Sequence, residues 1–274
     1  MKVLIAADME GISGVVSWDH VNPEHAEYQR FRRMMTQDVN AAIQGAVEGG
    51  AHDIWVTDGH WNSTNILIEE LDPRAQLNSG TPSPLSMVQG VDAGVDGALF
   101  IGYHARIGTQ NAILDHTWSS TRVQNLWLNG RLTGETGLNA AVCGAFNVPV
   151  LLVTGDQAVC AEARDWIPGI ETVQVKQAVG RHAAQCLSLA ESHRRIRAGA
   201  AQVLRRLSAG TAPAPLKLAT PVTVGIEFFY SDMADKAALL PGAVRCDGRK
   251  VELQAADMVA AYQAFRSAVT VAQR

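Results

Sequence analysis

Two acids one residue apart, Asp8 and Glu10, stand directly after a short apolar run in "VLIAADMEGISG". Burying a carboxylate is costly unless it is paired, hydrogen-bonded or bound to a cation, so a charge or a strong donor must face these two. Two further apolar runs end in the same way: "DIWVTDGH" delivers His60 and "GALFIGYH" delivers His104. Carboxylates and imidazoles without thiolates suit zinc, manganese, cobalt or non-haem iron. Residues two apart leave a strand towards the same side, so Asp8 and Glu10 can reach one ion. A single histidine after a strand is more often structural than a ligand. Four candidate ligands at the same ends of successive strands, where open α/β sheets collect their sites, point instead to a metal centre.

Other residues carry weaker signals. His116 lies in the polar, aperiodic segment "NAILDHTWSS"; an imidazole with an ordinary pKa of about 6.5 can move a proton near neutrality. It suits a proton shuttle or oxyanion donor better than a nucleophile, and a purely structural role is the alternative. Glu135 stands in "TGETG" before a helical segment. The flanking glycines would let backbone approach something bound, yet its local setting reads first as a partner for the helix dipole. Asp58 in "TDGH" either orients His60 or builds an Asp-Gly turn. Asn139 and Arg106 could contact a substrate, or serve as a cap and a surface residue.

The elements that must position these groups follow from periodicity. A strand over 3–7 precedes "RFRRMMTQDVNAAIQGAVEGG", where Met35, Val39, Ile43 and Val47 share one helical face and Gly49-Gly50 ends it. "NSTNILIEELDP" reads as a short capped helix before Pro73, and "VQNLWLNGRLTG" as a hairpin turning at Asn129-Gly130. "ETGLNAAVCGAF", "VPVLLVTGD", "AVCAEARDWIPG" and "ETVQVK" continue as helix, strand, helix, strand, before the long basic helix "SLAESHRRIRAGAAQVLRRL". This alternation predicts an α/β fold with a mostly parallel sheet covered by helices on both faces. The Pro- and Ala-rich stretch "SAGTAPAPLKLATPV" marks a boundary. It divides residues 1–207, the metal-binding catalytic domain, from residues 208–274, a smaller α+β part with a strand, a helix, a hairpin near Asp247-Gly248 and a final amphipathic helix.

In chain order, "DMEGISG", "DGH", "GYHAR", "LDHT" and "GETGLNA" before "VPVLLVTGD" resemble the D-aminopeptidase family of metallopeptidases. The resemblance runs from the first strand into the C-terminal helix. It implies two zinc ions per subunit held by Asp8, Glu10, His60, His104 and Glu135, with Asp8 bridging, and His116 as the catalytic histidine beside them. It also implies a ring-shaped homodecamer with active sites facing an interior channel, and removal of an N-terminal D-residue from short peptides. Five side chains for two ions would leave coordination positions open, as catalytic sites require.

Bulk properties set the outer bounds. The chain has 274 residues, is 47% hydrophobic and carries a formal net charge of -4, which speaks against a nucleic-acid surface. The uncharged stretch 136–155 is broken by Asn and Pro and reads as helix then strand, not as a membrane span. Cys143, Cys160, Cys186 and Cys246 form no CxxC pair and are expected as buried free thiols; with no signal-like segment, the expected location is the cytoplasm. No P-loop, GxGxxG or GxSxG pattern is present. Chemistry alone also admits a metal-dependent phosphoesterase, for which only Arg106 and Arg131 lie near the motifs as phosphate clamps, or a non-catalytic metal-binding assembly protein.

Overall fold

Strands buried on both faces need apolar residues at every position, and the first strand meets that demand. In the computed structural model, which describes residues 1–273, Val3, Ile5 and Ala7 pack into one core while Leu4 and Ala6 pack into another. Each such large aliphatic side chain removed from water contributes about 1.5–3 kcal/mol.

In chain order the elements are β1 (Lys2–Ala7), α1 (Trp18–Val21), α2 (Tyr28–Glu48), β2 (Asp53–Asp58), β3 (Ala75–Asn78) and β4 (Gly97–Ile101). Next come β5 (Val123–Leu128), β6 (Arg131–Thr133), α3 (Glu135–Ala145), β7 (Val150–Asp156) and α4 (Gln157–Trp166). Then follow β8 (Glu171–Gly180), β9 (Ala183–Cys186), α5 (Leu189–Ser208), β10 (Val222–Phe228), α6 (Ser231–Ala237), β11 (Ala243–Arg245), β12 (Lys250–Ala255) and α7 (Met258–Val271). The main sheet has the order β3-β2-β1-β4-β7-β8-β9 and is parallel except for the edge strand β9. Helices α2 and α5 cover one face, with Met35, Val39 and Ile43 meeting Ile196, Val203 and Leu204 in the same core. Helices α3, α4 and α7 and the second sheet cover the other.

That second sheet is antiparallel, in the order β11-β12-β10-β5-β6. It takes β5 and β6 from before residue 207 and the other three from after it, so one hydrogen-bonded layer spans the linker. The β5–β6 hairpin turns at Asn129 and Gly130, both with positive φ, as the sequence predicts for a two-residue turn. Through this hairpin the smaller sheet delivers the first residue of α3 to the edge of the larger one.

Three expectations need correction. Residues 62–73 form turns, not a helix: the N–H groups of Asn65 and Ile66 bond to the Asp58 carboxylate and that of Leu67 to Thr36 Oγ1. Side chains thus take the donors a helix would need. The edge strands β3 and β9 lack a periodic apolar signal and were not expected. All four cysteines are free, but Cys186 and Cys246 are exposed. The basic face of α5 is solvated and ion-paired, with Glu191 held by Arg194 and Arg195, and Arg197 reaching Glu48. Among the described residues no helix is long and apolar enough to cross a membrane.

Candidate metal centre

Parallel neighbours end on the same edge, so β2, β1 and β4, adjacent in that order, bring their carboxyl ends together. Ala7 lies opposite Asp58 on one side and Ile101 on the other. Beyond these ends the chain stays laddered: Asp8 N donates to Ile101 O at 2.8 Å, Gly11 N to Gly102 O at 2.8 Å and Gly59 N to Ala7 O at 2.8 Å. A Cβ on Gly11 would sit 1.9 Å from Tyr103 O. The glycine after Glu10 is therefore required by backbone contact between the exits of β1 and β4.

Asp8, Glu10, His60, His104, His116 and Glu135 all meet here, and all are buried. Each imidazole turns one nitrogen outward to a carbonyl: His60 Nε2 to Val21 O at 2.9 Å, His104 Nδ1 to Ala105 O at 3.0 Å, and His116 Nδ1 to Leu114 O at 2.8 Å. A carbonyl only accepts, so those nitrogens carry the protons and each neutral ring presents a lone pair to the centre. His60 Nδ1 faces Asp8 Oδ1 at 3.4 Å and Glu10 Oε2 at 3.2 Å. His104 Nε2 faces Asp8 Oδ2 at 3.4 Å and Glu135 Oε1 at 3.2 Å. Asp8 thus offers one oxygen to each group.

Lone pairs aimed at lone pairs repel unless a cation lies between them. Asp8 Oδ2, Glu10 Oε2 and His104 Nε2 are buried without a hydrogen-bond partner. Two donor triads, Asp8–Glu10–His104 and His104–His116–Glu135, each have their ligand atoms within 4.8 Å of one another. A tetrahedral zinc with bonds of about 2.0–2.1 Å holds its ligands roughly 3.3 Å apart. The four separations of 3.2 and 3.4 Å match that spacing, so the residues fit zinc.

The proton affinities carry the same imprint. Burial, reinforced by the Glu10 charge, pushes the Asp8 carboxyl up to about 7. Burial would raise Glu10 too, but the neighbouring His60 outweighs it and holds Glu10 well below the usual carboxylate range. Burial opposes charge on His60 and His104, yet the carboxylates of Glu10 and Glu135 respectively lift them well above an ordinary imidazole. Where protons are the only cations at hand, these two rings hold them. His116 differs: burial and the cationic His104, stacked on it with ring centroids 3.9 Å apart, lower its pKa. Its Nε2 stands off at 3.9 Å from Glu10 Oε1 and 3.8 Å from Glu135 Oε1.

Glu135 is the first residue of α3, as a helix-dipole partner would be. Its side chain nevertheless turns into the cluster, where Oε1 accepts from Trp118 N at 2.7 Å. The glycines beside it make room for protein: a Cβ at Gly134 would lie 2.5 Å from Glu162 Oε1. Asp58 does not touch the His60 ring. It binds the N–H groups of Asn65 and Ile66, and Asn65 Nδ2 in turn donates to His60 O at 2.6 Å, so Asp58 builds the loop that carries His60. Asn139 is buried against Tyr103 OH, Arg106 binds Ile107 O through its guanidinium and Glu162 through its backbone, and Arg131 pairs with Asp165. None of the three lines the cleft of about 510 Å³ above the cluster, whose walls include Trp18, Trp61, Trp118 and Met87.

Sequence reasoning missed Lys176. This fully buried lysine from β8 donates to Glu10 O at 2.6 Å, Ile12 O at 2.9 Å and Val15 O at 2.7 Å. Burial pulls its ammonium down to about 8, which leaves it charged at neutral pH. The only sequence signal is a charge interrupting the apolar alternation of "ETVQVK".

Fold and site together define an α/β protein with a candidate metal centre beyond the carboxyl ends of its parallel strands. Comparison with known proteins sharpens this: the model of the D-aminopeptidase family, peptidase family M55, matches residues 1–267, and the chain belongs to that family. The D-aminopeptidase of Bacillus subtilis is 38% identical over 275 residues, covering 100% of this chain and 98% of that protein. The solved structure of a zinc-dependent D-aminopeptidase from the same organism, described as a self-compartmentalizing protease, superposes with a TM-score of 0.95 at 38% identity, over 100% of this chain and 98% of that one.

If Lys176 fixes the loop after Glu10, Lys176→Met leaves three buried carbonyls short of a donor. The expected cost is on the order of 2–4 kcal/mol in denaturant unfolding of the zinc-loaded protein, together with weaker zinc retention on dialysis. Wild-type stability and zinc retention would show that the three hydrogen bonds are dispensable.

Proposed function

We propose that the chain is a zinc-dependent aminopeptidase that removes an N-terminal residue of D configuration from short peptides. The observation that carries this is the pair of lone-pair clusters sharing the Asp8 carboxylate at the floor of a cleft. Family membership supplies the reaction class. Asp8, Glu10, His60, His104 and Glu135 would hold two zinc ions. Bound there, zinc would supply Lewis acidity, polarising the scissile carbonyl and lowering the pKa of water.

The protein's own groups do the rest. Val21 O and Ala105 O fix the tautomers of His60 and His104, so neither ring can turn its protonated nitrogen inward. Lys176 and Gly11 set the path of the chain at Glu10. His116 Nε2, held in place through Nδ1, would take a proton on the cleft side and return it to the departing amine. Burial lowers its pKa, which favours the neutral ring that can accept a proton. Trp18 meets the His116 ring edge-on with centroids 5.4 Å apart, and screens it from water.

We place the protein in the cytoplasm, a reading supported by its four free cysteines. We also propose a closed homodecamer as the working assembly, its channel excluding folded proteins. The similar solved structure is described as that of a self-compartmentalizing protease, which supports this reading.

Three measurements test these points. Elemental analysis after zinc loading is expected to give about two zinc ions per chain; Asp8→Asn is expected to weaken both sites and His60→Ala mainly one, because an amide is a poor bridge. A zinc-free protein at saturating zinc would remove the assignment. His116→Ala is expected to keep its zinc and lose kcat by roughly 10²–10⁴-fold on a D-alanyl peptide; loss of zinc would make it a ligand instead. Light scattering at micromolar concentration is expected to report a mass far above a dimer's, and a fully active monomer would refute the assembly.

A further inference from the structure

We propose that Arg122 and Arg266 form a subsite in the cleft that recognises the free C-terminal carboxylate of the peptide substrate. The inference rests on reading this cleft as the peptide site. Both residues line the same cleft as Asp8, Glu10 and His116, and both are half-buried. Other arginines of the chain pair with a carboxylate: Arg131 with Asp165, Arg181 with Asp115 and Arg249 with Glu227 on the surface, and the half-buried Arg245 with Asp235. Among the described residues neither Arg122 nor Arg266 forms an ion pair with an acid. Arg122 Nη1 donates to Val269 O at 3.0 Å and Arg266 Nη1 to Pro84 O at 2.6 Å. These bonds anchor the guanidinium groups to the wall formed by α7 and its neighbours. They use one of the five N–H donors on each side chain; Arg266 also lies over the Tyr262 ring at 5.6 Å, and among the described residues no carboxylate meets either charge.

The placement suits a short peptide. An aminopeptidase sets the bond after the first residue at its metals, so the rest of the substrate extends away from them. Each further residue spans about 3.3–3.6 Å, and the carboxylate of a di- or tripeptide therefore ends within roughly 10 Å of the reacting carbonyl. Arg122 lines the same cleft and is tied to its floor through the chain. Its N–H closes a turn onto Ser119 O at 3.2 Å, directly after Trp118, whose own N–H is 2.7 Å from Glu135 Oε1. Planar guanidinium forks bind carboxylates through paired, charge-assisted hydrogen bonds. Cations on the wall match the free carboxylate at the far end of a short peptide whose first peptide bond lies at the floor. A peptide amide keeps the shape and loses the second charge.

The test compares D-alanyl-D-alanine with its C-terminal amide on the zinc-loaded protein. The wild type is expected to favour the acid by roughly 10–100-fold in kcat/KM, mostly through KM, as charge-assisted hydrogen bonds to one group allow. Arg122→Met and Arg266→Met are each expected to shrink that ratio, and the double variant to bring it close to one, with zinc content at the wild-type level. Equal use of acid and amide by the wild type would overturn the subsite without touching the aminopeptidase reading, and needs no variant to fold. A preference that survives in the zinc-replete double variant would overturn it as well. Failure to cleave either compound would remove the aminopeptidase reading itself, and the subsite with it.

Discussion

Asp8 is a carboxylate sealed from water, with His60 facing one oxygen and His104 the other. An isolated buried carboxylate is costly enough that a protein ordinarily neutralises it. The opposite nitrogen of each ring donates to a backbone carbonyl, so the nitrogen facing Asp8 holds a lone pair when the ring is neutral and a proton when it is charged. Oδ1 also accepts from Met9 N at 2.8 Å, whereas Oδ2 has no hydrogen-bond partner, so a cation between each ring and the carboxylate completes the group. Protons on the two histidines do so in one state and divalent ions in the other, so metal binding and proton release are coupled. Much of the surrounding structure holds that one carboxylate between two positive charges.

Architecture makes this possible at short range. A parallel sheet places β2, β1 and β4 side by side with their ends in register, and the loops leaving them need little length to converge. Gly11 lets the exits of β1 and β4 touch, and Lys176 gathers three carbonyls of the following turn. The second sheet contributes what the first cannot. Its β5–β6 hairpin aims Glu135 from the side, and Trp118 N fixes that carboxylate. Asp156 caps α4 through one oxygen and binds Ile113 N through the other, tying the segment that carries His116 to the frame.

What the sequence made legible follows from which interactions are local. The apolar runs of β1, β2, β4 and β7 are continuous because both faces are buried, and their terminal acids and histidines stand out against that background. Asn129-Gly130 encodes its hairpin in two residues. Less legible was Glu135, whose neighbours describe the start of a helix equally well; its turn into the cluster depends on a hairpin from another sheet. Lys176 was illegible, since its three acceptors lie more than 160 residues away in sequence. The segment 62–73 forms no helix because Asp58, just before it, and Thr36, on α2, take the N–H groups that its helix-like composition would have used. Arg122 and Arg266 carry no local signal at all. Among the described residues neither pairs with an acid, which only three dimensions reveal.

Asp8 would bridge two zinc ions at the strand-end cluster, with Glu10 and His60 on one side and His104 and Glu135 on the other. Diffraction from zinc-loaded crystals at the zinc absorption edge tests it most directly, because anomalous scattering locates the ions independently of any activity. The account expects two peaks per chain at the floor of the cleft, one between Asp8, Glu10 and His60 and the other between Asp8, His104 and Glu135. A single peak, or zinc bound away from Asp8, would contradict it.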